Sequence, residues 1–66
     1  MHLDRNKVKL ACMRRGWQLA DLAREMGCTR QNLQLILHRG SPRTDTIGRI
    51  AKALGVDPVE LLTFDD

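Results

Sequence analysis

Side chains that can bond to the edges of nucleic-acid bases are concentrated near the middle of this 66-residue chain. Glutamine can form two hydrogen bonds with adenine, arginine can form two with guanine, and an apolar group can contact the methyl group of thymine. At about 100° per residue, one side of a helix through this stretch carries four residues, namely Gln31, Gln34, Leu35 and His38. Arg30 projects from its first turn. We expect Arg30, Gln31 and Gln34 to hydrogen-bond to bases, with Leu35 as a methyl contact and His38 on the same face.

A second set of polar residues lies where it could contact phosphates. Gln18, Thr29 and Asn32 are near the N-termini of two predicted helices, where the partial positive charge of the helix favours an anion. Arg39 and Arg43 flank the turn after the base-reading stretch, and we expect them to bind the adjacent backbone.

The apolar residues recur at helical spacing in five segments, and no segment alternates like a strand. The helices are predicted over about residues 4–15, 18–26, 29–39, 45–54 and 58–63. Glycines end the first four of these helices, at positions 16, 27, 40 and 55. Thr29 is the predicted N-cap of the third helix and Thr44 or Asp45 that of the fourth. Asp57 caps the fifth, with Pro58 at its first position and Glu60 completing a capping box.

The second and third helices have the pattern of a helix-turn-helix over about residues 18–38. This motif crosses two helices steeply through a short turn that often contains glycine. Ala23 supplies the small side chain needed where the helices approach, and Gly27 tolerates the positive φ that the turn requires. Five apolar residues point between the helices, namely Leu22, Met26, Cys28, Leu33 and Ile36.

Two blocks of the sequence resemble the lambda-repressor-like helix-turn-helix domains of the Cro and cI type. The first is RRGWQLADLAREMGCTRQNLQLIL, similar to that family's second and third helices, and the second is TIGRIAKALGVDPVELL, similar to its fourth and fifth. The resemblance implies an all-α, compact five-helix domain over residues 1–66 that binds double-stranded DNA, usually as a homodimer on a two-fold operator, and regulates transcription, here as a repressor. Leu19 replaces the usual Gln of the second helix, and Gln18 is the nearest substitute. Leu35 and Leu37 stand where the family commonly has polar residues.

Charge is distributed unevenly along the chain. Residues 1–52 hold all eleven Lys and Arg with four acidic residues, which gives +7, whereas residues 53–66 hold four acidic residues and no base, which gives −4. This pattern suits a polyanion on one face and a different role at the C-terminal end, although ordinary solvated charge is the alternative. Val59, Leu62 and Phe64 are the candidate dimer surface, and their alternative role is to close the core.

Other classes of function are disfavoured by what the sequence lacks. The single serine, Ser41, lies in a turn without a partner pattern for catalysis, and no glycine-rich phosphate loop occurs. His and Cys residues match no usual zinc spacing. We therefore expect no enzyme activity, no cofactor, no small-molecule substrate, no membrane span and a reduced cytoplasmic protein. Trp17 is expected to be a core or rim anchor. The competing hypothesis is a protein-interaction module that grips a partner through its apolar third helix.

Overall fold

Four α-helices contain most of the residues that the structure, a computed structural model, describes, which are 2–39 and 43–64. Along the chain the elements are β1 (His2–Leu3), α1 (Arg5–Arg14), α2 (Leu19–Met26), α3 (Arg30–Arg39), α4 (Thr44–Leu54), a 3₁₀ turn (Pro58–Leu61) and β2 (Leu62–Thr63). The mostly helical class and the first four helices agree with the prediction from sequence. None of the described helices, at most 11 residues long, has the length and apolarity of a membrane span.

Side-chain caps explain where the helices begin. Asp4 caps α1, because its Oδ1 accepts hydrogen bonds from the backbone N–H groups of Asn6 at 2.9 Å and Lys7 at 3.3 Å. Thr29 caps α3 as predicted, with Oγ1 accepting from the N–H of Asn32 at 3.0 Å. Such bonds pair donors that the first turn of a helix leaves unsatisfied.

The predicted cap of α4, Thr44 or Asp45, is wrong by one or two residues. Thr44 is already helical, and the N-cap position belongs to Arg43, whose backbone is extended and whose carbonyl accepts from the N–H of Ile47 at 3.1 Å. Asp45 lies inside the first turn, where its carboxylate accepts from the N–H of Thr46 at 2.9 Å. Both residues thus contribute to the first turn of α4 without capping it. Gly40, the predicted end of α3, lies outside the described residues.

The predicted fifth helix is a single 3₁₀ turn followed by a strand, so the five-helix expectation was wrong. Asp57 and Glu60 form the expected capping box: Asp57 Oδ1 accepts from Val59 N–H at 3.0 Å and Glu60 Oε2 from Asp57 N–H at 3.0 Å. The chain leaves the helical conformation at Leu62, which is extended. Leu62 pairs antiparallel with Leu3, and pairing with β1 replaces continuation of the helix.

One apolar core joins all the described elements. Its completely or almost completely buried large side chains come from β1, from the 3₁₀ turn and from each α-helix, namely Leu3, Val8, Leu22, Leu33, Ile50, Leu54 and Leu61. No polar or charged side chain among the described residues is buried in it. The helices are therefore positioned by apolar packing, and polar side chains are left on the surface.

Candidate nucleic-acid interface

The crossing of α2 and α3 is fixed by burial on the inner face of each helix. Leu22 and Ala23 of α2 and Leu33 of α3 are almost completely buried. Gly27 ends α2 with φ 74°, in the left-handed region that glycine adopts without steric cost. The N–H of Cys28 then donates to the carbonyl of Ala23 at 2.9 Å. The turn thus holds α3 in one orientation relative to α2.

The outer face of α3 carries the residues that the sequence predicts for base reading, and all five are exposed: Arg30, Gln31, Gln34, Leu35 and His38. Leu35 retains 56 % exposure, whereas Leu37 is only 4 % exposed. The helix therefore presents one apolar side chain among polar ones. Leu37, the other leucine at a position where the family commonly has a polar residue, is part of the core and leaves Leu35 as the exposed one.

An open groove of about 570 Å³ lies between this outer face and α1. It is lined by four of the predicted base-reading residues and by four others, namely Gln31, Gln34, Leu35 and His38 with Arg5, Lys9, Leu19 and Leu37. Arg5 and Lys9 were not anticipated. Their spacing of one helical turn in α1 was visible in the sequence, but which way that side of α1 faces was not.

The N-terminus of α2 forms a smaller groove of about 210 Å³ with the start of α3, lined by Gln18, Leu19, Ala20 and Arg30. The backbone N–H of Gln18 already donates to the carboxylate of Asp21 at 2.8 Å. Asp21 also lies 3.7 Å from the guanidinium of Arg24. A phosphate contact from Gln18 would therefore have to come from its side-chain amide.

Three basic residues are committed to holding the fold together. Arg15 donates to the carbonyl of Leu54 at 3.1 Å, Arg49 to that of Met26 at 2.9 Å, and Lys7 to that of Leu62 at 2.7 Å. These acceptors are the last residue of α4, the last residue of α2 and the first residue of β2. A cation near the carbonyl end of a helix is also favoured by the helix dipole.

Trp17 lies at the rim of the core, as predicted. Its ring is partly buried against the apolar cluster, and the guanidinium of Arg15 lies over it at 4.3 Å from the centroid. This contact is a cation–π interaction within the protein. The indole ring therefore has a structural role that does not require stacking on a nucleic-acid base.

Arg39 and Arg43 are exposed and flank a turn, residues 40–42, that lies outside the described part of the chain. Among the described residues, neither guanidinium has a hydrogen-bond or ion-pair partner. Thr29 and Asn32 are also exposed, and the cap bond between them leaves the hydroxyl proton of Thr29 and the amide group of Asn32 for other partners.

The three candidate dimer residues separate into two groups. Val59 is 54 % exposed and Phe64 is 56 % exposed, whereas Leu62 is 7 % exposed and lies opposite Leu3 in the two-stranded sheet. Leu62 therefore closes the core, which was the alternative to a role in the dimer surface, and it is not available on the surface of the monomer. Val59 and Phe64 remain candidates.

The cysteines behave as apolar packing residues. Cys12 is buried, and burial together with the nearby Asp21 carboxylate raises the pKa of its thiol, so the unreactive protonated form prevails at neutral pH. Cys28 is partly buried against the core. Within residues 2–39 and 43–64, no three His, Cys, Asp or Glu side chains are grouped as metal ligands would be. Ser41 lies outside these ranges.

Comparison with known protein families agrees with this geometry. A family model described as the Cro/C1-type HTH DNA-binding domain matches residues 7–66, which include every described helix from the first turn of α1 onward. No curated protein and no solved structure matched the chain. The chain therefore belongs to the family of Cro/C1-type helix-turn-helix DNA-binding domains.

Proposed function

We propose that this domain recognises a specific duplex sequence by placing the outer face of α3 in the major groove. The observation that carries the proposal is the exposure of Arg30, Gln31 and Gln34 on a helix whose opposite side is locked into the core. The major groove is wide enough for an α-helix and displays a distinct pattern of donors and acceptors for each base pair. Because the inner face of α3 is buried in the core, the helix does not have to become ordered when these side chains meet base edges.

Each side chain on this face has a distinct proposed role. Arg30, Gln31 and Gln34 hydrogen-bond to bases, because N-terminal residues of a recognition helix usually meet the base edges. Leu35 contacts a thymine methyl group, which accounts for an exposed leucine among polar neighbours. His38, one turn beyond Gln34 on the same side, extends the face toward the end of α3.

Backbone contacts fix the register of the domain on the duplex. Thr29, Asn32 and the side-chain amide of Gln18 donate to phosphates near the starts of α2 and α3, and Arg39 and Arg43 bind the backbone beyond the end of α3. If a dimer neutralises about six to ten phosphates, affinity falls roughly 10³- to 10⁵-fold between 50 and 200 mM salt.

The regulatory consequence is repression. A domain that occupies an operator excludes RNA polymerase from an overlapping promoter by steric hindrance alone, without contacting the polymerase. Activation would need a specific contact with the transcription machinery, and repression requires only the DNA-binding face.

Two copies bind together in this proposal, through a surface that includes Val59 and Phe64. Both side chains are more than half exposed, and neighbouring Asp57 and Glu60 repel DNA from this end.

Sedimentation on duplexes carrying one or two half-sites tests the dimer. We expect two copies on the two-site duplex and a reduced second binding step for Val59→Asp with Phe64→Ala, since this pair of changes removes the apolar contacts. Unchanged assembly by that variant would exclude Val59 and Phe64 from the interface.

The DNA-binding proposal is tested by selecting bound sites from random duplexes and then replacing both Arg30 and Gln31 by alanine. We expect the wild-type protein to recover a defined, symmetric motif and the double variant to lose that preference while keeping the wild-type helical circular dichroism. Arg14→Ala is the control, because it removes the same charge from an exposed position on another groove.

A failure of the folded wild-type protein to bind any duplex would overturn the proposal. The protein-interaction hypothesis would then gain support from the 56 % exposure of Leu35 and from Leu19 in the same groove. That hypothesis requires a partner whose binding is lost in Leu35→Asp but retained when Arg30 and Gln31 are both replaced by alanine.

A further inference from the structure

The groove between α1 and α3 contains two cations, Arg5 and Lys9, that were not predicted from the sequence to bind DNA. Arg5 and Lys9 are four residues apart in α1 and therefore project from the same side of that helix. They line the groove together with Gln31, Gln34, Leu35 and His38 of α3. The two cations thus lie on the same side of the molecule as the proposed base-reading face.

Neither cation is used by the fold. Within the described part of the chain, no hydrogen bond or ion pair involves the side chain of Arg5 or Lys9, and both residues are exposed. Lys7 differs, because it projects from another side of α1 and donates to the carbonyl of Leu62 at 2.7 Å. The carboxylate of Asp4, the acidic residue next to Arg5, accepts bonds from Thr63 and from two backbone N–H groups.

The two edges of the α3 outer face carry different basic residues. Gln34 lies on the α1 edge, because the buried Leu37 one turn along that edge also lines the groove with Arg5 and Lys9, whereas Arg39 does not. Arg39 is five residues further along the helix, about 140° around its axis, and so projects from the other edge. A helix in the major groove has one phosphate backbone along each edge, since the groove is only about 12 Å wide.

We propose that Arg5 and Lys9 bind phosphates of the DNA strand along the α1 edge of α3, opposite the strand bound by Arg39 and Arg43. This inference rests on the proposed function, because it assumes that α3 enters the major groove. It extends the DNA-binding surface beyond the helix-turn-helix to α1. The domain then binds the phosphates of both strands that border the major groove. Contacts on both sides of α3 fix the angle at which the helix lies in that groove.

The inference has a measurable electrostatic consequence. Each neutralised phosphate contributes about 0.9 to the slope of log K against log salt concentration, so loss of both contacts lowers that slope by about 1.8 for each domain bound. Extrapolated from 1 M salt, this difference in slope corresponds to a roughly 30-fold lower affinity at 0.15 M salt. The recovered sequence motif stays the same, because phosphate contacts carry no base information.

The experiment compares three variants of the full chain with the wild type on one selected duplex, by fluorescence anisotropy at several salt concentrations. Arg5→Ala with Lys9→Ala removes both cations. Arg14→Ala with Lys52→Ala is the matched control, because it removes the same charge from two exposed residues that line other grooves. Arg5→Lys with Lys9→Arg keeps both charges. Thermal unfolding of each variant, followed by circular dichroism, checks that the fold is retained.

We expect the first variant to show the reduced slope, the control to keep nearly the wild-type slope, and the charge-preserving variant to bind like the wild type. A first variant with the same slope as the control would overturn the proposed phosphate contacts. If the proposed function fails, the wild-type protein itself binds no duplex. If only this inference fails, the wild-type protein still binds its motif, and replacement of Arg30 and Gln31 by alanine still removes that sequence preference.

Discussion

Basic residues have opposite roles at the two sides of this molecule. Around the outer face of α3, Arg30, Arg39 and Arg43 are exposed and have no side-chain partner among the described residues. Away from this face, Arg15 and Arg49 donate to main-chain carbonyls at the ends of helices. The same type of residue therefore stabilises the fold on one side and is left for a ligand on the other.

The difference follows from the acceptors that are available. The last carbonyls of a helix have no partner within that helix. Both α2 and α4 end at left-handed glycines, and at each end a carbonyl accepts from an arginine outside that helix. Arg49 and Arg15 bind those two carbonyl ends. The start of α3 presents N–H groups rather than carbonyls, so it favours an anion and offers a basic side chain no helix-end carbonyl to bind. A positive net charge thus indicates a polyanion partner only after the structural cations have been set aside.

The largest expected effect on stability comes from comparing the inner and outer faces of α3. Leu33→Ala should lower the free energy of unfolding by about 2–5 kcal/mol, because it empties a fully buried site between helices. Leu35→Ala, a matched change on the outer face, should alter it by less than about 0.5 kcal/mol. Urea denaturation followed by circular dichroism measures both. Equal destabilisation by the two variants would mean that the outer face is packed against something within the domain.

The next effect compares an arginine from each side. Arg49→Ala should destabilise the fold by about 1 kcal/mol, a value reduced by solvent exposure, because the carbonyl of Met26 loses a charged donor. Arg39→Ala should leave the free energy of unfolding almost unchanged and should weaken duplex binding at low salt. Denaturation and anisotropy measurements on both variants test this difference between a loss of stability and a loss of binding. The proposed division of roles is wrong if Arg39→Ala proves as destabilising as Arg49→Ala.

The sequence was sufficient to predict the parts of the fold that depend on local pattern. In α4, Ile47, Ile50, Ala51 and Leu54 recur at helical spacing, and all four are buried. Thr29 and Asp57 were recognisable as caps because their hydrogen bonds span only two or three residues. The positive φ of Gly27 followed from the demands of the turn.

Features that depend on distant partners were not predictable. Leu62 is a strand residue only because it pairs with Leu3, and two-residue strands are too short to show alternation. Whether a cation binds a helix end or faces α3 depends on how α1 and α4 pack, so neither the role of Arg15 nor the direction of Arg5 and Lys9 was evident. The outer residues of α3 were found because the inner stripe of that helix is apolar and their helical angle follows from it.

An effect of similar size tests the turn that sets the orientation of α3. Gly27→Ala should cost about 1 kcal/mol of stability, because alanine is strained at φ 74° although its Cβ would meet nothing within 4 Å. Gly48→Ala, also without a steric obstacle but inside α4, should stabilise the fold by about 0.5–1 kcal/mol. Thermal unfolding of both variants measures these opposite signs. A stabilising Gly27→Ala would contradict the left-handed turn between α2 and α3.

The smallest expected effect concerns the junction where Asp4 joins the start of α1 to β2. The hydroxyl of Thr63 donates to its Oδ2 at 2.7 Å, and this bond, followed by the backbone N–H of Lys7, lowers the pKa of the carboxyl below 3.8. A lowered pKa in the folded state adds stability that is fully present above the unfolded value and is lost as pH falls through the folded value. The Tm should therefore decline as pH falls below about 4, and the decline should be shallower in Thr63→Val, which lacks the bond. Duplex binding by Thr63→Val at pH 7 should match the wild type, since Thr63 is not among the residues proposed to contact DNA. Equal pH dependence of the Tm in both proteins would show that this bond does not hold the terminal strand to α1.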